Sequence, residues 1–230
     1  MNDLEKPILK GVCKAHKEYD CVSDGWWLYH APESFIQSHL ASYIARKGKF
    51  CIFPECSPKR WKNSLDEGND VKPRGRPFSK HNKKRFDLVI WRKKVERPGA
   101  IVEIKRAVHV APLLADAHKV LDYKKEACRY GISTAYILVY SEAKRNTERA
   151  PLHSGKTKLK EKFGSWSKSL EEKCGNKAKV QYVGREAHEP QGQDKDNTWS
   201  WGVALYRLDY PVRKKRKRVV SRSKPARKVA

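Results

Sequence analysis

Asp87, Glu103 and Lys105 sit inside two strongly apolar stretches, Phe86-Asp87-Leu88-Val89-Ile90 and Ile101-Val102-Glu103-Ile104-Lys105. An unpaired ion buried there costs several kcal/mol, so folding alone gives no reason for these residues. Glu103 and Lys105 are two residues apart. In an extended strand both side chains then leave the same face, about 6.6–7 Å apart. The short turn around Glu96, Arg97, Pro98 and Gly99 makes the two stretches hairpin neighbours and can set Asp87 beside Glu103. Ile104 points its side chain into the core, while its carbonyl remains available as an oxygen ligand. Two carboxylates and a main-chain oxygen are hard donors suited to Mg²⁺ or Mn²⁺. A divalent ion so held stabilises charge at a phosphorus centre and lowers the pKa of an attacking water. A neighbouring ammonium can share that charge or position the water. The chemistry expected is metal-dependent phosphodiester hydrolysis, with Asp87, Glu103 and the Ile104 carbonyl on the metal and Lys105 beside it.

The acid-x-Lys spacing alone decides nothing, because it recurs at Asp70/Lys72, Asp122/Lys124, Glu142/Lys144 and Glu171/Lys173. What separates Glu103/Lys105 is its place within an apolar strand, with an acid-bearing apolar strand just before it and a helix then a strand after it. A buried Glu–Lys ion pair on a sheet is the competing explanation.

The elements that must position these residues follow from periodicity. Residues 1–30 are expected to be irregular, with aromatic residues at Trp26, Trp27 and Tyr29. Ile36, Leu40, Tyr43 and Ile44 recur at helical spacing, which predicts a helix over 31–47 with Pro32 in its first turn and Gly48 at its end. Strands are predicted over 50–53, 85–91, 100–107, 134–140, 179–183 and 199–208. Further helices are predicted over 113–128 and 156–174, the latter with Leu159, Phe163, Trp166 and Leu170 along one face. The fold class expected is α/β, a mixed central β-sheet flanked by helices over 31–210. A loop over 54–84 is inserted in that domain, and a basic tail over 211–230 is expected to be disordered. Loops of such length are usually functional or disordered.

Taken together, Arg-Phe-Asp87-Leu-Val-Ile followed by Ile-Val-Glu103-Ile-Lys105 resembles the PD-(D/E)XK nuclease superfamily. The resemblance covers about residues 31–142, and Phe86 stands where the motif name has proline. It implies a restriction-endonuclease-like core and a Mg²⁺- or Mn²⁺-dependent endonuclease, with DNA favoured over RNA as its substrate and the choice between them left open by the sequence. Members often carry an acid on the first core helix, and Glu33 is the candidate, with a helix-dipole role as its alternative. Asp116 and Lys119, one turn apart on the next helix, match an arrangement some members place near the site, although an intrahelical ion pair explains them equally. Lys124 on the same helix face is a weaker candidate. Glu55 is a possible alternative carboxylate in a loop, and His109 reads as a residue approaching the helix rather than as a base.

Charge supplies the partner. The chain of 230 residues has 51 Lys+Arg against 26 Asp+Glu, a formal charge of +25. One acid-free run holds Lys72, Arg74, Arg76, Lys80, Lys83, Lys84 and Arg85. A second begins with Arg213, Lys214, Lys215, Arg216, Lys217 and Arg218 and reaches ten Lys/Arg by Lys228. Neither run has apolar periodicity, so both are expected to grip nucleic-acid phosphates, each contact releasing condensed counterions. A solvated tail that only maintains solubility is the plain alternative. Lys214 to Arg218 also reads as a nuclear import signal if the host has a nucleus; otherwise a cytoplasmic or nucleoid-associated location is expected.

Other classes fall away. The longest apolar run, Tyr136 to Tyr140, is short for a membrane span, so no membrane partner is expected. The charged stretch before Gly11, broken by Pro7, is not expected to be a secretory signal. Six Cys lack the spacing of a disulfide or zinc scaffold, which favours a reducing compartment. Gly155-Lys156-Thr157 lacks the upstream Gly of a phosphate loop, since residue 150 is Ala. A homodimer, or membership of a multi-protein nuclease complex, is expected if both strands of a duplex are cut. The rival functions are a non-catalytic nucleic-acid-binding protein on the same fold, an RNA-associated basic protein, and a scaffold whose acid–Lys motif is only an ion pair.

Overall fold

Strands with apolar residues at both odd and even positions need cover on both sides, and here the sheet has helices on each face. The computed structural model describes residues 3–24, 28–57, 85–95, 97–123, 127–128, 131–144, 155–188 and 199–210. Its elements in chain order are α1 (Glu5–Val22), α2 (Glu33–Ala45), β1 (Phe50–Cys56), β2 (Phe86–Arg92) and β3 (Arg97–Arg106). Then follow α3 (Ala111–Asp122), β4 (Thr134–Lys144), α4 (Gly155–Cys174), β5 (Lys179–His188) and β6 (Trp199–Asp209). The strands lie in the order β1-β2-β3-β4-β6-β5. β3 and β4 are parallel, with α3 as the crossover between them, and every other neighbouring pair is antiparallel. The protein is therefore a mixed α/β fold around a six-stranded sheet.

Alternation along β3 divides the core. Ala100, Val102 and Ile104 meet α1 and α2 through Ile8, Val12, Ile36, Leu40 and Ile44. Ile101 lies on the opposite face, where Leu113, Ala117 and Val120 of α3 and Leu159, Phe163 and Leu170 of α4 cover Val89, Ile137 and Val139. Each fully buried side chain of this size contributes roughly 1.5–3 kcal/mol relative to exposure. Glu103 and Lys105 follow Ile101 at two-residue steps and so belong to the α3 side.

The expectation of an irregular segment over 1–30 is corrected by α1. Ile8, Val12 and Ala15 recur at helical spacing and are buried on the sheet and α2. Pro7 falls in the first turn, where its missing N–H breaks no helical bond. Gly11 permits close contact with α2, since a Cβ there would stand 2.7 Å from Leu40 Cδ1. The domain thus includes this helix and does not begin at residue 31.

Element ends also move. β1 runs through Pro54 to Cys56, so the chain is still a strand where the long loop was expected to begin. α3 begins at Ala111 and stops at Asp122, where the Tyr123 N–H turns back to the Val120 carbonyl. β4 and β5 extend to Lys144 and His188. Lys72, Arg74, Arg76, Lys80, Lys83, Lys84, Lys124 and the whole run from Arg213 to Lys228 lie outside the described residues. Arg85 is described and is exposed just before β2. Among the described residues no helix is long and apolar enough to cross a membrane.

Candidate active site

The site lies where β2 and β3 part. Their pairing ends at Leu88 with Val102, one residue short of Asp87 and Glu103. Beyond that point the Asp87 side chain takes over: its Oδ2 accepts the Ile104 N–H at 2.6 Å. The carboxylate is thereby fixed against the strand that carries Glu103 and Lys105. On its other side, Glu55 stands between the paired residues Pro54–Leu88 and Cys56–Phe86, so it lies opposite Asp87. Glu55 has φ 47°, a left-handed conformation uncommon for a non-glycine residue. Gln37 of α2 ties the two strands together, its Nε2 donating to the Asp87 carbonyl at 2.6 Å and to Glu55 Oε1 at 3.0 Å.

The β3 residues meet helices from both sides of the sheet. Glu103, only 2 % exposed at its side chain, accepts from Lys119 Nζ of α3 at 2.8 Å. Lys105 Nζ stands 3.5 Å from Glu33 Oε2 of α2 and 3.9 Å from Asp116 Oδ2 of α3. Glu33 Oε1 also accepts the Arg106 N–H at 3.0 Å, which anchors the first turn of α2 to the end of β3. Four carboxylates (Glu33, Asp87, Glu103, Asp116) thus gather around two ammonium groups. If all ionise, two negative charges are left over within the group. Glu103 Oε1 and Asp116 Oδ2 are buried and have no hydrogen-bond partner.

Electrostatics record the same imbalance. Burial, reinforced by Asp87 and only partly offset by Lys119, pushes the Glu103 carboxyl up to about 9. Burial also raises Asp87, against the opposing pull of the Ile104 amide, Lys119 and Lys105. Asp116 is raised for the same first reason, with Lys105 and Lys119 pulling it down. Burial works against the Lys105 ammonium, yet Asp116, Glu33 and Asp87 together raise its pKa. Lys105 is therefore a fixed positive charge and hydrogen-bond donor at neutral pH. It is not a ready proton acceptor.

The expected residues Asp87, Glu103, Lys105 and Glu33 come together, and Asp116 and Lys119 join them from α3. Ile104 has its side chain in the α2 face of the core, and its amide serves Asp87. Among the described residues, no group of three or more His, Cys, Asp or Glu side chains is arranged to hold a metal ion. Protein ligation would rest on fewer side chains, with main-chain oxygen and water completing the shell. The buried Glu103 Oε1, which has no hydrogen-bond partner, fits such an ion, because a hard oxygen donor left unsatisfied by the protein is what it would engage. His109 is exposed. Among the described residues no cysteine forms a disulfide, and His16 packs against the Trp201 ring at 4.1 Å.

Gln37 was not singled out by the sequence. Its signal was its place one turn after Glu33 on α2, next to the apolar stripe of Ile36 and Leu40. Glu55 was unreadable until β1 was known to continue past Pro54. No protein-family model, curated protein or solved structure matches the chain.

Proposed function

We propose that the protein is a metal-dependent nuclease with a restriction-endonuclease-like core, most consistent with an endonuclease on DNA. One observation carries the reading. A carboxylate cluster on two adjacent strands and the helix that follows them holds a buried oxygen, Glu103 Oε1, with no hydrogen-bond partner, near a lysine held as a cation. Asp87 and Glu103, with the Ile104 carbonyl, would hold Mg²⁺ or Mn²⁺. Such an ion, when bound, supplies Lewis-acid stabilisation at phosphorus and a more acidic water.

The chain's own residues do the rest. Asp87 is oriented by the Ile104 amide and by the Gln37 brace behind its carbonyl. Lys105, held between Glu33 and Asp116, is placed to donate to a phosphate oxygen or to orient the attacking water. Its charge would offset the negative charge that grows on the phosphate in the transition state. Arg106, exposed with its guanidinium 5.6 Å from the Tyr29 ring centroid, is available to a flanking phosphate. The basic runs around Lys72 to Arg85 and Arg213 to Lys228 would add sequence-independent grip.

The test is a cleavage panel of supercoiled plasmid, linear duplex, single-stranded DNA and RNA with Mg²⁺ or Mn²⁺. Asp87→Asn and Lys105→Ala should each lower the rate by at least about 10²-fold. Asn retains an oxygen that can accept the Ile104 N–H, so folding should survive. Equal cleavage by wild type and both variants, or none by wild type with any metal, overturns the proposal. The close pairing of Glu103 with Lys119 favours one alternative, a non-catalytic nucleic-acid-binding protein on this fold. Salt-sensitive binding that persists in chelator, without any cut product, would establish that alternative instead.

A further inference from the structure

Glu103 has two carboxylate oxygens in different circumstances. Oε2 is engaged by Lys119 Nζ at 2.8 Å, whereas Oε1 is buried without a partner. Lys119 is itself held in place. It projects from α3, and its Nζ lies 5.3 Å from the centroid of the Phe86 ring. Phe86 immediately precedes Asp87, so the ammonium rests on the strand that carries one proposed ligand while bonding the other. A cation within about 6 Å of an aromatic face is attracted to it, which limits where the lysine can swing.

We infer that Lys119 is a positioning residue: it occupies Glu103 Oε2, orients the carboxylate, and leaves Oε1 as the oxygen offered to a divalent cation. This rests on the nuclease reading above and adds a residue to it. Lys119 is the ammonium in direct contact with the Glu103 carboxylate, its Nζ 2.8 Å from Oε2. Groups that hold a metal ligand in this way typically change metal affinity 10–100-fold when removed. A lysine that merely fills the cation's place would act in the opposite direction, since its removal would free the site.

The experiment is a Mn²⁺ titration of the full chain, followed by the electron paramagnetic resonance signal of free Mn²⁺. Wild type is compared with Lys119→Met and Lys119→Arg. Met keeps most of the apolar stem on Phe86 and removes the charge; Arg restores a charged donor. Circular dichroism and thermal unfolding identify the folded fraction of each. Lys119→Met should bind Mn²⁺ about 10–100-fold more weakly, and Lys119→Arg should recover a large part of that loss. Unchanged or tighter binding by folded Lys119→Met overturns the inference and leaves the nuclease reading intact. If Lys119→Met does not fold, Lys119→Arg decides: near-wild-type affinity supports the inference, and loss of affinity in a folded Arg variant overturns it. No saturable Mn²⁺ binding by wild type overturns both.

Discussion

Two buried glutamates on opposite faces of one sheet have very different company. Glu5 of α1 and Glu103 of β3 are equally hidden, each 2 % exposed at the side chain. Glu5 belongs to a closed network around Arg207 of β6. The guanidinium gives Nη1 to Glu5, Nε to Asp209 Oδ2 at 2.8 Å, and Nη2 to Gln181. Thr134 Oγ1 bonds the second Asp209 oxygen at 3.1 Å. Every arm of the planar donor has an acceptor, as expected where Arg is used to fasten structure. Around Glu103 the balance differs: carboxylates outnumber ammonium groups, and two buried oxygens have no hydrogen-bond partner. Burial alone therefore does not separate the two clusters. The completeness of pairing does.

Breaking the closed network should have the larger effect on stability. Arg207→Met removes the guanidinium that Glu5 and Asp209 share, a loss of about 3–5 kcal/mol for a broken buried pair. Urea unfolding should show that loss, while cleavage per folded molecule stays at the wild-type value. If activity of the folded fraction fell as well, the division between a structural and a functional cluster would fail.

A smaller effect of opposite sign is expected at the other glutamate. Glu103 titrates near 9 in the folded protein against 4.5 unfolded, so between those values the folded state holds a proton the unfolded chain has released. Stability in chelator should therefore decline as pH rises from about 4.5 towards 9, then level off. Glu103→Gln cannot ionise and escapes that decline. It should be more stable than wild type at pH near 8, by about 1–4 kcal/mol, and no more stable near pH 4.5. Thermal scans in chelator at both pH values measure this. A wild type more stable than the variant at the higher pH would mean that Lys119 more than compensates for the buried charge.

Much of the site was legible because its residues violate the pattern around them. Asp87, Glu103 and Lys105 interrupt runs of Leu, Val and Ile, and a charge in such a run is visible without coordinates. Glu33 was legible from its position on the face of α2 shared by Ile36, Leu40 and Ile44. The identity of the lysine that touches Glu103 was not legible, because it depends on how α3 crosses the sheet. Neither was the Gln37 brace, since a neutral amide on a helix carries no sequence signal of what it bonds. In the fold, α1 escaped notice because Pro7 and several lysines obscure a stripe of Ile8, Val12 and Ala15. Proline in a first turn is compatible with a helix, and the lysines face outward. The strands after β1 fared better, since their cores are dense runs of apolar residues. Their ends did not, because pairing with a neighbour extends β4 and β5 into polar residues.

The most direct measurement is the affinity for Mn²⁺ of the wild-type chain beside Asp87→Asn, by calorimetric titration, with Arg207→Met as the control for folding stress. Saturable binding by wild type and Arg207→Met, weakened at least about tenfold in Asp87→Asn, is the predicted result. Equal affinity in wild type and Asp87→Asn, or no saturable binding by wild type, would contradict the assignment of this cluster to a divalent cation.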